Sequence, residues 1–98
     1  MNAPTQNPHP PAPSSGHHLA TIGHEGRFWD VYLEFEDDPR RPSSNRARLC
    51  FFPGDPGDDE VAVRTTVIII EDSFEEAMMK ARGLEEHQLQ GLLRSALP

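Results

Sequence analysis

Between residues 28 and 36 every second side chain is apolar: Trp29, Val31, Leu33 and Phe35 alternate with Asp30, Tyr32, Glu34 and Glu36. A period of two sends the two sets to opposite faces of an extended chain, which predicts a strand with one buried and one polar face. Residues 46–52 read the same way. Ala47, Leu49 and Phe51 form the apolar set, Arg46, Arg48 and Cys50 form the other, and Pro53-Gly54-Asp55-Pro56-Gly57 ends the run. Residues 19–22 make a short apolar segment before a turn at Gly23-His24-Glu25-Gly26, and residues 61–70 make a fourth strand rich in β-branched side chains. Two prolines and paired serines assign residues 37–45 to a loop.

The period then changes. Ser73 followed by Glu76 fits a capping box, and Phe74, Ala77, Met78 and Ala81 recur at helical spacing until Gly83. Leu89, Leu92, Leu93 and Ala96 form a stripe in a second helical segment over 84–97, interrupted by Gly91, which costs about 1 kcal/mol relative to alanine. The predicted order is ββββαα: an antiparallel four-stranded meander followed by two C-terminal helices packed on the sheet, in the α+β class.

Composition adds the boundaries. Residues 1–18 hold five prolines and no charged side chain, so they are expected to form a disordered Pro-rich tail. One small domain over 19–98 is expected from a chain of 98 residues. Nothing resembles a membrane span or a secretory leader, and one cysteine forms no internal disulfide, so a cytoplasmic location is expected. Arginine makes up eight of the nine basic residues, which with the many Pro and Ala suggests a GC-rich bacterial genome.

Matching parity in the second and third strands sets Glu36 opposite Arg46, Glu34 opposite Arg48 and Tyr32 opposite Cys50, so opposite charges meet twice in register. The fourth strand is different, because Val67-Ile68-Ile69-Ile70 is apolar on both faces. Phe28, Phe52, Ile68 and Ile70 share the outward parity and are expected to form an apolar patch edged by Arg46, Arg48 and Arg64. These seven residues are the candidate binding surface. Its cover is the second helix, another copy of the chain or a different protein.

Candidate chemistry is sparse. His17, His18 and His24 lie close in sequence with Glu25, but lack the HExxH spacing and a fixed fourth ligand, so no metal or other cofactor is expected. Asp55, Asp58, Asp59 and Glu60 gather acid in one loop without the order of ligands an EF-hand needs. Cys50 would need a base and a lowered pKa to act as a nucleophile, and no histidine is placed beside it. No catalytic residue is assigned. A net charge of −7 disfavours nucleic acid, although residues 40–48 carry Arg40, Arg41, Arg46 and Arg48 without an acid and leave anion binding there open.

Phe-Phe-Pro-Gly-Asp-Pro-Gly at 51–57 and Glu-Asp-Ser-Phe-Glu-Glu-Ala at 71–77 resemble the HicB-type antitoxins, whose small β-sheet domains carry a Pro-Gly turn and a Glu-Ala helix start. The chain departs from that pattern by a whole strand, 61–70, between the two motifs. The resemblance implies an antitoxin-like regulator. The residues themselves favour a non-enzymatic protein-interaction module with a protein partner or a second copy. The alternative is a small ligand-binding or enzymatic domain with a pocket between sheet and helices near Tyr32, Cys50 and Arg64.

Overall fold

The computed structural model describes residues 16–37, 39, 40 and 43–98. Its elements run β1 (Gly16–His24), β2 (Arg27–Glu36), β3 (Asn45–Pro53), β4 (Val63–Glu71), α1 (Phe74–Arg82) and α2 (Glu86–Ala96). The strands form one antiparallel sheet in the order β1-β2-β3-β4, and both helices lie on the same face of it. This is the ββββαα order that the change of period implied. The predictions for residues 1–15 and for Arg41 and Pro42 fall outside the described residues.

Alternation builds the core. Trp29, Val31 and Leu33 of β2, Ala47, Leu49 and Phe51 of β3, Ile22 of β1 and Ile69 of β4 meet Ala77, Met78 and Ala81 of α1 and Leu89 and Leu93 of α2. Burying each large apolar side chain is worth roughly 1.5–3 kcal/mol, so this layer carries the fold. The β2–β3 register sets Glu36 opposite Arg46, Glu34 opposite Arg48 and Tyr32 opposite Cys50, as the charges required. A slip of one residue would send Leu33 and Leu49 to water.

Three details depart from expectation. β1 starts at Gly16, inside the segment assigned to the tail, because His17 packs edge-on against Phe35 and Phe74 while His18 reaches Asp30. The first turn is tighter than the four residues expected. Glu25 and Gly26 both have positive φ, at 50° and 79°, the pattern of a two-residue type I′ turn whose twist suits a hairpin. At the helices, Ser73 Oγ accepts from Glu76 N at 3.1 Å, while a return bond of the capping-box kind runs at α2, where Glu85 N donates to Gln88 Oε1 at 2.8 Å.

β4 carries the largest correction. Its pairing with β3 shifts between Ala47 and Arg48 and again between Arg48 and Cys50, so Ile69 faces Ala47, Val67 faces Arg48 and Arg64 faces Cys50. The first extra residue is Ile68. A bulge breaks the alternation of side chains, and Ile68 lines a cleft with Leu92, Ser95 and Ala96 of α2, on the helix side of the sheet. Ile70 remains opposite Arg46 on the other face and is 55% exposed. At the second shift the Thr65 hydroxyl accepts from Leu49 N at 3.0 Å and donates to Thr66 O at 2.7 Å, filling the gap in the ladder.

Candidate functional sites

Two surfaces bring polar chemistry together: the face of the sheet opposite the helices, and a cleft at the β1–β2 turn.

Across the open face the strands present rungs. Thr21, Asp30 and Phe52 form one, His18, Tyr32, Cys50 and Arg64 the next, then Glu34, Arg48 and Val67, and last Glu36, Arg46 and Ile70. Glu34 is the centre. Only 4% exposed, it accepts from Arg48 Nε at 3.1 Å on Oε1 and from Arg64 through Nε at 2.9 Å and Nη2 at 3.2 Å. The Arg64 hydrogen bonds hold its carboxyl below the ordinary value, with burial opposing and Arg48 adding to the effect. Arg64 is raised in turn by its bond to Glu34. Arg46 Nε donates to Glu36 Oε1 at 3.1 Å, and Asp30 accepts from the Thr21 hydroxyl at 2.7 Å beside His18 at 3.2 Å. The arginines expected to rim an apolar patch are thus bound to carboxylates.

The patch itself is divided. Ile68 lies on the helix side, Phe28 lines the cleft at the turn, and Phe52 and Ile70 are separated by the two charged rungs, six residues apart along β3 and so roughly 20 Å. Val67, half-buried beside Arg48, belongs with Ile70 and was not singled out from the sequence, because only the bulge turns it to this face. Tyr32, Cys50 and Arg64 do share one rung, but on the face away from the helices, so the expected pocket between sheet and helices does not contain them. Cys50 is fully buried, and burial pushes its thiol pKa up, the direction opposite to nucleophile activation. Burial also raises Tyr32.

The second surface is a cleft of about 440 Å³ lined by Gly23, His24, Glu25, Gly26, Arg27 and Phe28 of the hairpin and by Gln90 and Arg94 of α2. Gln90 Nε2 donates to Gly23 O at 2.7 Å and Gly23 N donates to Glu86 Oε2 at 3.4 Å, which fixes α2 against the end of β1. Arg27 is held by carboxylates through both Nη atoms. Both oxygens of Glu60 accept from it at 2.7 Å, Asp55 accepts at 3.2 Å, and its guanidinium lies 5.4 Å from the centre of the Trp29 ring. Hydrogen bonds from Arg27 first, and then from Gly57 N, lower Glu60 to about 2. This explains the acidic loop: two of its four carboxylates clamp Arg27.

The three histidines diverge. His17 lies on the helix side against Phe35 and Phe74, His18 on the open face and His24 in the cleft. Among the described residues no group of three His, Cys, Asp or Glu side chains is placed to hold a metal ion, and no helix is long and apolar enough to cross a membrane. No family model, curated protein or solved structure matches the chain.

Proposed function

We propose that the chain is a non-enzymatic protein-interaction module whose contact surface is the open face of the sheet and whose partner is a second copy of itself. The observation that carries this reading is the charge balance of that face. Its rungs hold three carboxylates, Asp30, Glu34 and Glu36, and three guanidinia, Arg46, Arg48 and Arg64, so the whole net charge of −7 lies elsewhere. Two copies repel wherever their acidic surfaces approach, and this neutral face escapes that repulsion. A twofold axis through the face offers each copy's Glu36 and Arg46 rung to the other's, and Val67 with Ile70 supplies the apolar contact.

Sedimentation equilibrium across a range of concentrations tests it. The wild-type chain is expected to shift from monomer to dimer, and Ile70→Asp to remain monomeric with its melting temperature held. Ile68→Asp, altered on the helix side, is expected to leave dimerisation in place. Should Ile70→Asp lose cooperative melting, Ile70→Thr replaces it, with weaker dimerisation expected. A wild-type chain that stays monomeric at every concentration, or folded Ile70 variants that dimerise as well as wild type, would overturn the reading.

A further inference from the structure

Charge on the open face is sorted by strand. β2 presents Asp30, Glu34 and Glu36 there and no base, while β3 presents Arg46 and Arg48 and no acid. At the end of these two rows, next to the β1–β2 turn, stands Phe28. It shares the outward parity of Asp30 and Tyr32, is 71% exposed and takes no part in the core. Both of its neighbours across the sheet are glycines: Gly23 pairs with it on one side, and Gly54 N donates to Phe28 O at 2.9 Å on the other. No atom lies within 4 Å of the point that a Cβ on Gly23 would occupy, and a Cβ on Gly54 would meet only Phe28, at 3.5 Å or more. The ring therefore projects from the sheet with bare backbone on either side.

Resting on the open-face dimer, we infer that its twofold axis runs along the strands between β2 and β3, and that Phe28 of each copy is the anchor, seated over the partner's Gly54 and beside the partner's Phe52. Two like faces meet about a twofold axis only when that axis lies in the plane between them, and the charge rows decide its direction. An axis across the strands lays β2 on β2 and β3 on β3, acid on acid and arginine on arginine. An axis along the strands, between β2 and β3, lays each acidic row over the other copy's arginine row, so that Glu34 meets Arg48 and Glu36 meets Arg46 between copies as well as within each. Such charges set orientation more than affinity, because desolvation offsets their attraction. The same axis carries like rungs onto like, which brings Phe28 over the residue of its own rung on the other strand, Gly54, where the missing side chain leaves room for a ring. Phe52, half-buried on the same strand and face, gives that ring an aromatic wall. Aromatic side chains that fill a pocket carry a disproportionate share of an interface's affinity.

Sedimentation equilibrium of the full chain reads the anchor, and double electron–electron resonance between nitroxides reads the axis. Phe28→Ala is expected to weaken dimerisation about tenfold or more with the melting temperature held, because the ring is outside the core. Gly54→Ala, whose added methyl the monomer accommodates, is expected to weaken it several-fold and serves in place of Phe28→Ala should that variant not fold. Met79→Ala, which trims a side chain as exposed as Phe28 but on α1, is expected to leave the dimer at wild-type strength. For the axis, a nitroxide is placed on Glu25→Cys at the β1–β2 turn, with the fully buried Cys50 unlabelled. An axis along the strands keeps the two turns at one end of the dimer, and a distance under about 30 Å is expected; an axis across the strands would part them by about 40 Å or more. A folded Phe28→Ala or Gly54→Ala that dimerises as tightly as wild type would overturn the anchor, and a distance near 40 Å would overturn the axis. Either result leaves a dimer that Ile70→Asp still dissociates, so the open-face reading stands; a wild-type chain that never dimerises overturns both.

Discussion

Leu49 and Cys50 are adjacent, both fully buried, and they point to opposite faces of the same sheet. Leu49 is covered by a second layer, since α1 and α2 close over Trp29, Val31, Leu33 and Phe51 around it. Cys50 has no such layer among the described residues. It lies between Tyr32 and Arg64 in its rung, with Glu34 and Arg48 in the next, so neighbouring side chains on the sheet surface exclude water from it. One face is sealed by apolar packing and the other by a salt-bridged lattice of side chains. The two seals differ in what breaks them: apolar packing responds to lost volume, and the lattice responds to lost charge.

The largest effect is expected on the helix side. Phe51→Ala removes a fully buried ring from the centre of the core and should cost about 3–5 kcal/mol, measured by urea unfolding. A loss under 1 kcal/mol would mean that the helices do not seal that face. On the open side, Glu34→Gln leaves Arg48 and Arg64 without their shared carboxylate. Both arginines are about two-fifths exposed and water takes part of the load, so a cost of about 1–3 kcal/mol is expected.

Acid sharpens the contrast. Glu34 and Glu60 have folded-state pKa values below their unfolded ones, so their contribution is complete above the unfolded value and is lost as pH falls through the folded value, about 2 for Glu60. Stability of the wild-type chain should fall below about pH 4.5, and Glu34→Gln should flatten that fall while Phe51→Ala leaves its slope unchanged. Equal slopes in all three chains would remove the distinction between the faces. The smallest effect is local to α1: Ser73→Ala loses the bond to Glu76 N and should cost about 1 kcal/mol in thermal melts, with the open-face pairs untouched.

The sequence showed the β2–β3 register plainly because two kinds of information agreed there: alternation of apolar side chains, and acid facing base at Glu36–Arg46 and Glu34–Arg48. β4 lacked both. A run of β-branched residues without alternation carries no phase, so neither bulge was legible, and Ile68 was assigned to the wrong face. The cleft was hidden for another reason. It depends on Gln90 reaching Gly23 and Arg27 reaching Glu60, contacts between segments far apart in the chain, and no local pattern marks either pair. Arg94 was not singled out, since nothing in the sequence distinguishes it from any basic residue in the last turn of a helix.

In the proposed dimer the open face of one copy meets the same face of the other. An isotope-filtered nuclear Overhauser experiment on an equal mixture of labelled and unlabelled chain tests this directly, because it reports contacts between copies alone. Intermolecular signals are expected from the Val67 and Ile70 methyl groups to open-face partners such as Arg46 and Arg48, and none from Leu89 or Leu93. No intermolecular signal at concentrations well above those of storage, or signals confined to the helices, would contradict it.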